Sequence, residues 1–428
     1  MSKTLIGFVM WVVVPSFAWG LNFNQLTQSF LENDPNIKAA LQGLQSAQSD
    51  YDEAIALAMP KIDMDASYSD QKNPFGSSFP LEFSSYSSKV KVNQPLYLGG
   101  RIWNGIKVKD QAVQLNKLQF SVVVNSSLRE FYKAAIRYAK FVKQKSVLSQ
   151  SFRTQEGFVE ITQKKYQRGN AKKFERDQAQ AELLAYDSRI RQIQQQIDVA
   201  KIHLSLLSGV AVDKIEPKLD FMMPGVSLKP AEYYRSLGLK ESVQIKLGEI
   251  QKHMAETQKK MIMGEHLPSL VLNGEMGWSS EKASSLFDSQ NKSHSYSVLL
   301  TIPIFSGLSS VYAKQSAESK IHVAEKKLAA QQRQTIMEVS QSFLEVEAAT
   351  EVFSKTKQWR VLAQSALDDG LKNFRSGIIS NFQVVQLQKG QEAAESAYLD
   401  AETSLLFAWV DLTYHTGQDM KKILLTGM

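Results

Sequence analysis

The chain has no cysteine among its 428 residues. Disulfides, thiolate metal sites and lipidation on an N-terminal cysteine are therefore excluded. After the first 20 residues no apolar run approaches the ~18 residues of a transmembrane helix, so no such helix is expected. No dense basic block appears either. The formal net charge of +7 is spread along the chain, so a solvated surface is expected rather than a nucleic-acid partner. No phosphate-cradling glycine loop and no serine–histidine–acid context occurs, and His203, His253, His266, His294, His322 and His415 are scattered. No enzyme, cofactor or metal site is expected. Asp63 and Asp65 suggest a metal pair, but no glycine loop lies nearby. Proline is missing too, from Pro95 to Pro217.

That proline-free stretch holds the main helix. Leu128, Phe131, Ala135, Tyr138 and Val142 recur at steps of three and four, one apolar stripe. A helix from Arg101 to Arg168 would be on the order of 100 Å long, too long for a compact globule. It stops at Tyr166-Gln167-Arg168-Gly169-Asn170, and a second helical pattern runs to about Ser208 and ends at Gly209. Hydrophobic residues at 43% and charged ones at 22% are ordinary for a folded chain. The N-terminus has a short cationic start, an apolar run from Thr4 to Phe17, and Ala18-Trp19-Gly20 before a cleavage point. Residues 1–20 therefore read as a secretory signal peptide.

In chain order, a short helix spans about Asn22 to Glu32, and Asn33-Asp34-Pro35 breaks it and caps the next, which runs to about Ala58. From Lys61 to Ser69 the period changes: Ile62, Met64, Ala66 and Tyr68 alternate with polar residues, as in a strand with two different faces. Asp70 to Ser85 reads as a loop. Tyr86, Ser88, Val90 and Val92 form a second strand that Pro95 closes. The pattern then repeats. Pro60 and Pro268, Pro95 and Pro303, Gly99 and Gly307, Gly169 and Gly377, and Gly209 and Gly417 are each 208 residues apart. Five punctuating pairs in one gap-free register indicate an internal duplication. The first copy spans 21–209, a linker marked by Pro217, Pro224, Gly225 and Pro230 spans 210–240, the second copy spans 241–417, and a tail spans 418–428. Strands are expected at Ser269–Trp278 and Ser295–Ile302, and a second long helix at Leu308–Ser376.

Four amphipathic strands of about bilayer-crossing length, with Tyr68, Tyr86, Trp278 and Tyr296 near their loop ends, suggest a transmembrane sheet. Four strands cannot close a barrel, and an open edge is not allowed in lipid, so copies of the chain must share one. Two hairpins of a soluble domain would account for either pair alone. They do not explain why both cap very long helices.

The ordered set of duplication, strand-end motifs at Pro95 and Pro303, helix tips at Gly169 and Gly377, and leader resembles the TolC-like outer-membrane efflux proteins. The resemblance implies a mainly α fold with transmembrane β: a homotrimer sharing a twelve-stranded β-barrel, continued by a long coiled-coil α-helical barrel in the periplasm. It implies passive efflux or type I secretion through the Gram-negative outer membrane, with a periplasmic adaptor (membrane fusion protein) and an inner-membrane pump or ABC exporter. No cofactor follows from it. The competing reading is a periplasmic helical-hairpin adaptor or scaffold without a channel.

The resemblance also assigns positions. Gly169, Asn170, Gly377 and Ile378 fall at the adaptor-docking tips, with Lys164, Lys165, Arg168, Lys172 and Lys173 around the first. Familiar members latch the entrance with a carboxylate on the first hairpin bonded to tyrosine and arginine on the second, and ring the constriction with aspartates. Counting from the tips, Glu175 falls at the carboxylate, Phe374 and Ile379 at the tyrosine and arginine, and Gln383 and Gln386 at the aspartates. A neutral constriction and a weaker latch are implied, unless Asp368 and Asp369 replace the ring by a register shift.

Overall fold

A computed structural model of the chain describes residues 23–72, 82–215, 228–305 and 307–421. The expected leader, residues 216–227 of the proline-marked linker and the end of the tail lie outside the described residues. Twelve elements build the rest: α1 (Phe23–Asn33), α2 (Pro35–Ala56), β1 (Lys61–Lys72), β2 (Glu82–Leu98), α3 (Arg101–Gln167), α4 (Lys173–Ser208), α5 (Ala231–Glu241), α6 (Val243–Met263), β3 (Ser269–Ser280), β4 (Lys292–Thr301), α7 (Ser309–Arg375) and α8 (Asn381–His415). The order of helix, helix, strand, strand, long helix, helix occurs twice. α3 and α7 have 67 residues each and begin 208 residues apart. The matched glycines adopt matched backbone: φ is 62° and 69° at Gly99 and Gly307, 75° and 74° at Gly169 and Gly377, and 67° and 71° at Gly209 and Gly417. Positive φ is what keeps these positions glycine.

By contacts the chain divides differently, into two compact units. One takes residues 39–122 and 241–336; the other takes 1–38, 123–240 and 337–428. Each unit therefore draws on both copies of the repeat.

The first unit contains the sheet, ordered β1-β2-β3-β4 and antiparallel throughout. Its register puts Ile62 opposite Val92, Met64 opposite Val90, Val92 opposite Gly274 and Leu272 opposite Val298 on one face. Lys91 meets Asp65 at 2.8 Å, Lys89 meets Glu275 at 2.9 Å and Asn93 donates to Asn273 at 2.7 Å on the other. The expected split into apolar and polar faces thus holds across all four strands, though Val271 and Leu299 pair on the polar side. Asp63 is met by Lys61 at 3.1 Å.

The strand ends differ from expectation. The sequence closes the second strand at Pro95, but β2 continues to Leu98 because the register shifts between Pro95 and Tyr97. Leu96 is the extra residue of a bulge, where a proline without an N–H is tolerated. The first loop is shorter than expected: pairing runs out to Lys72 and Glu82, with Ser67 and Ser87 hydroxyls 2.8 Å apart. Cross-strand pairing overrides the low strand preference of serine. β4 likewise starts at Lys292 rather than Ser295. In the same unit the helices meet through small residues and ion pairs. Gly248 lies against Leu328, Lys259 pairs with Glu318 at 2.9 Å and Lys109 with Asp50 at 3.0 Å. A Cβ on Gly99 would lie 2.1 Å from the Gly264 carbonyl, so that approach admits no side chain.

The second unit holds the main core. Leu128, Phe131, Ala135 and Tyr138 of the expected stripe are buried, and Val142 is half-buried. Phe30 stacks on Phe131 at 4.5 Å and Phe23 meets Tyr132 at 5.5 Å, with Leu26 and Leu204 also buried. Burial pushes the Tyr132 phenol well above its ordinary range. The Asp34 carboxylate accepts the N–H groups of Asn36 at 2.7 Å and Ile37 at 2.9 Å, which fixes the start of α2 as expected. The tail is not wholly peripheral, because Met420 is fully buried. A second cluster joins Tyr234, Val339, Val346, Leu405, Ala408 and Leu412.

Asp411 ties this unit together electrostatically. It accepts from Arg129 at 2.6 Å and pairs with Lys133 at 2.8 Å, and its side chain is only 15% exposed. Asp411→Ala would leave two half-buried cations unpaired and is expected to cost roughly 3 kcal/mol. Lys164→Ala, at an exposed pair with Glu160, should cost well under ~1 kcal/mol; thermal unfolding of the two purified variants checks the contrast. Burial holds the His415 pKa below its ordinary value despite the pull of Glu338. The unfolded state therefore binds the proton more readily. Stability should fall as pH drops below the unfolded value of about 6.5, and His415→Gln should flatten that part of the profile.

Candidate entrance and gate

Both helical tips close with the same turn. At the first, the Gly169 N–H donates to the Tyr166 carbonyl at 2.9 Å and the Asn170 N–H to the Lys165 carbonyl at 2.8 Å. At the second, Gly377 donates to Phe374 at 3.0 Å and Ile378 to Asn373 at 2.9 Å. This paired pattern around a left-handed glycine satisfies the last carbonyls of α3 and α7. Asn170 and Ile378 stand exposed beside the turns. Of the five cations around the first tip, Lys164 pairs with Glu160 at 2.5 Å and Lys165 lies 4.2 Å over the Phe374 ring. Arg168, Lys172 and Lys173 are exposed.

The returning helices begin with equivalent caps. At α8 the Ser380 N–H donates to Gln383 Oε1 at 2.8 Å, and the Gln383 N–H donates to Ser380 Oγ at 3.4 Å. At α4 the Lys172 N–H donates to Glu175 Oε2 at 2.9 Å. Glu175 and Gln383 are thus the same position of the two copies, each reaching back to an orphan backbone donor. Counting from the tips gives them different gate roles; locally they share one.

Phe374 is buried. Its ring meets Phe158 at 4.8 Å, and Ala179, Val384 and the half-buried Ile379 complete the cluster. Side chains of α3, α4, α7 and α8 therefore share one apolar core at the tips. Gln386 is exposed. Asp368 accepts from Gln364 at 3.0 Å and Asp369 pairs with Lys372 at 3.1 Å, both within α7. Asp368 also lines a polar recess of about 200 Å³ with Gln150, Thr154, Gln388 and Glu395.

One constellation escaped sequence reasoning. The Tyr186 hydroxyl on α4 donates to Glu392 Oε2 on α8 at 3.0 Å, and the Arg189 guanidinium pairs with the other carboxylate oxygen. Lys389 meets Glu182 at 2.8 Å. Burial, with the Glu392 carboxylate beside it, pushes the Tyr186 phenol well up. Tyrosine and arginine here lie on the first hairpin and the carboxylate on the second, the reverse of the arrangement that the resemblance implies. A signal was present: Glu182, Tyr186 and Arg189 follow i, i+4, i+7 on α4, and Lys389 and Glu392 follow i, i+3 on α8. Among the described residues no group of three or more acidic or histidine side chains converges on a possible metal, and no helix is long and apolar enough to cross a membrane.

The sequence matches the outer membrane efflux protein family over residues 26–210 and 239–418, which track the two copies of the repeat. The chain belongs to that family. It is an outer-membrane channel for efflux or secretion, with its helices in the periplasm. It is 21% identical to the alkaline protease secretion protein AprF of Pseudomonas aeruginosa over 406 residues, which cover 90% of this chain and 82% of AprF. Among solved structures it is similar to CusC, with a TM-score of 0.81 at 16% identity over 94% of both chains. It is also similar to VceC of Vibrio cholerae, with a TM-score of 0.77 at 18% identity over 93% of this chain and 96% of that one.

The shared core predicts a graded outcome. Phe374→Ala should cost about 3–5 kcal/mol locally and raise amide exchange in the ends of all four helices. Glu392→Ala should raise exchange around residues 182–189 and 389–395 only. Gln386→Ala should change neither. Hydrogen exchange read by mass spectrometry checks all three.

Proposed function

We propose that three copies of this chain close one twelve-stranded barrel, and that the duct is passive and has no catalytic step. The observation that carries this reading is the open sheet, which among the described residues has four strands, two free edges, one apolar face and one ion-paired polar face. Backbone groups on a free edge have no partner in lipid, so the edges call for another copy. The polar face would then line the lumen and the apolar face would meet the acyl chains.

The turns at Gly169 and Gly377, with Asn170 and Ile378, serve in this reading as docking points for a periplasmic adaptor. An inner-membrane pump or ABC exporter supplies the energy. Glu175, Phe374, Ile379, Gln383 and Gln386 surround the entrance. Phe374 and Ile379 stiffen it from within, and the neutral Gln383 and Gln386 leave the constriction without a ring of fixed negative charge. The Tyr186–Glu392–Arg189 contact provides the latch in place of the usual residues. AprF, named for alkaline protease secretion, favours a protein cargo.

Purified protein in planar bilayers should conduct with weak cation selectivity and without block by divalent ions. Gln386→Asp should introduce both properties. Strong cation selectivity in the unaltered protein would rule out the neutral constriction.

A further inference from the structure

The two hairpins are equivalent residue for residue. β1 and β2 pair Lys61 with Asn93 and Tyr68 with Tyr86; β3 and β4 pair Ser269 with Thr301 and Met276 with His294, each 208 residues later. The seam between hairpins, β2 to β3, pairs Val90 with Met276 and Val92 with Gly274. Beyond the bulge it pairs Tyr97 with Leu270.

β4 is the counterpart of β2 but forms an outer edge of the sheet. It stops at Thr301, where β2 passes the matching point and runs on to Leu98. The residues that follow β4, Pro303-Ile304-Phe305, match Pro95-Leu96-Tyr97. Ile304 is 96% and Phe305 84% exposed, against 45% for Tyr97. Among the described residues, β2 has a neighbouring strand on this side, β3, and β4 has none.

We propose that β1 of a second copy occupies the outer side of β4 in the register that β3 holds beside β2. Val298 then faces the partner copy's Tyr68, Leu300 its Ala66, Thr301 its Asp65 and Phe305 its Ile62, with Ile304 as the bulged residue. Strand direction permits this. Four alternating strands leave β4 and β1 antiparallel across the join. A slip of one residue would turn the apolar set of β4 toward the polar face of β1. A slip of two keeps the faces but makes the stagger at this join unequal to that at β2–β3. A ring of equivalent hairpins with one tilt needs equal stagger at every seam. Assembly thus lengthens β4 through Phe305 and completes the row that the single chain leaves open.

The inference rests on the trimeric reading above, and one experiment separates the two. The chain has no cysteine, so engineered pairs have no background. β1 and β4 are opposite edges of the sheet, roughly 14 Å apart at ~4.8 Å per strand, so no disulfide between them can form within one chain. Leu300→Cys is combined in the full chain with Ala66→Cys, with Met64→Cys or with Tyr68→Cys. Outer membranes are oxidised, and covalent oligomers are read on non-reducing gels beside the mass of the detergent-extracted protein. The expected result is at least tenfold more covalent trimer from the Ala66 pair than from either other pair. A preference for Met64 or Tyr68, or a trimer mass with no disulfide from any pair, overturns the register and leaves the trimer standing. A single-chain mass with no disulfide overturns both.

Discussion

Backbone hydrogen bonding in lipid is the constraint on which the rest depends. A strand in hydrocarbon cannot leave its N–H and C=O groups to water, so a membrane sheet must close on itself. The four strands among the described residues are too few to do so alone. Its sheet is therefore intelligible only as a segment, and the ion pairs between Lys91 and Asp65 and between Lys89 and Glu275 mark which side of that segment meets water. Lys91 and Lys89 each reach a carboxylate on an adjacent strand, so the polar face carries its charges in cross-strand pairs.

Duplication simplifies the problem of building such a segment. One pattern of two helices, two strands, a long helix and a returning helix, used twice, yields hairpins with identical pairing and long helices of identical length. The compact units do not follow the copies. Each copy places its strands in one unit and its tip in the other, so each unit is assembled from parts of both copies.

Much of this was legible because the decisive residues have few substitutes. Gly99, Gly169 and Gly209 sit at positive φ, a conformation that L side chains rarely adopt, and each has its twin 208 residues on. Alternation along Ile62, Met64, Ala66 and Tyr68 marked a strand for the same kind of reason: period two allows only one face. What was not legible depends on contacts between distant segments. Pro95 reads as a strand end until Val271 is seen beside it. Met420 reads as tail until the core closes over it. The entrance was the least legible part. Counting from a glycine locates a residue along a helix, but the partners of Glu175 and Glu392 are set by an orphan N–H in one case and by a neighbouring helix in the other.

The aromatic contact between Phe158 and Phe374 has a mechanical meaning. It belongs to neither hairpin, since one ring comes from each. Pulling one tip away from the other would expose both rings and empty the space between Ala179 and Val384, at an expense comparable to a large core truncation, about 3–5 kcal/mol. Displacing both tips together leaves the cluster intact. In the trimer proposed above, each chain would then move its pair of tips as a single jaw, and the compliant part of the mouth would lie at the joints where one jaw meets the next.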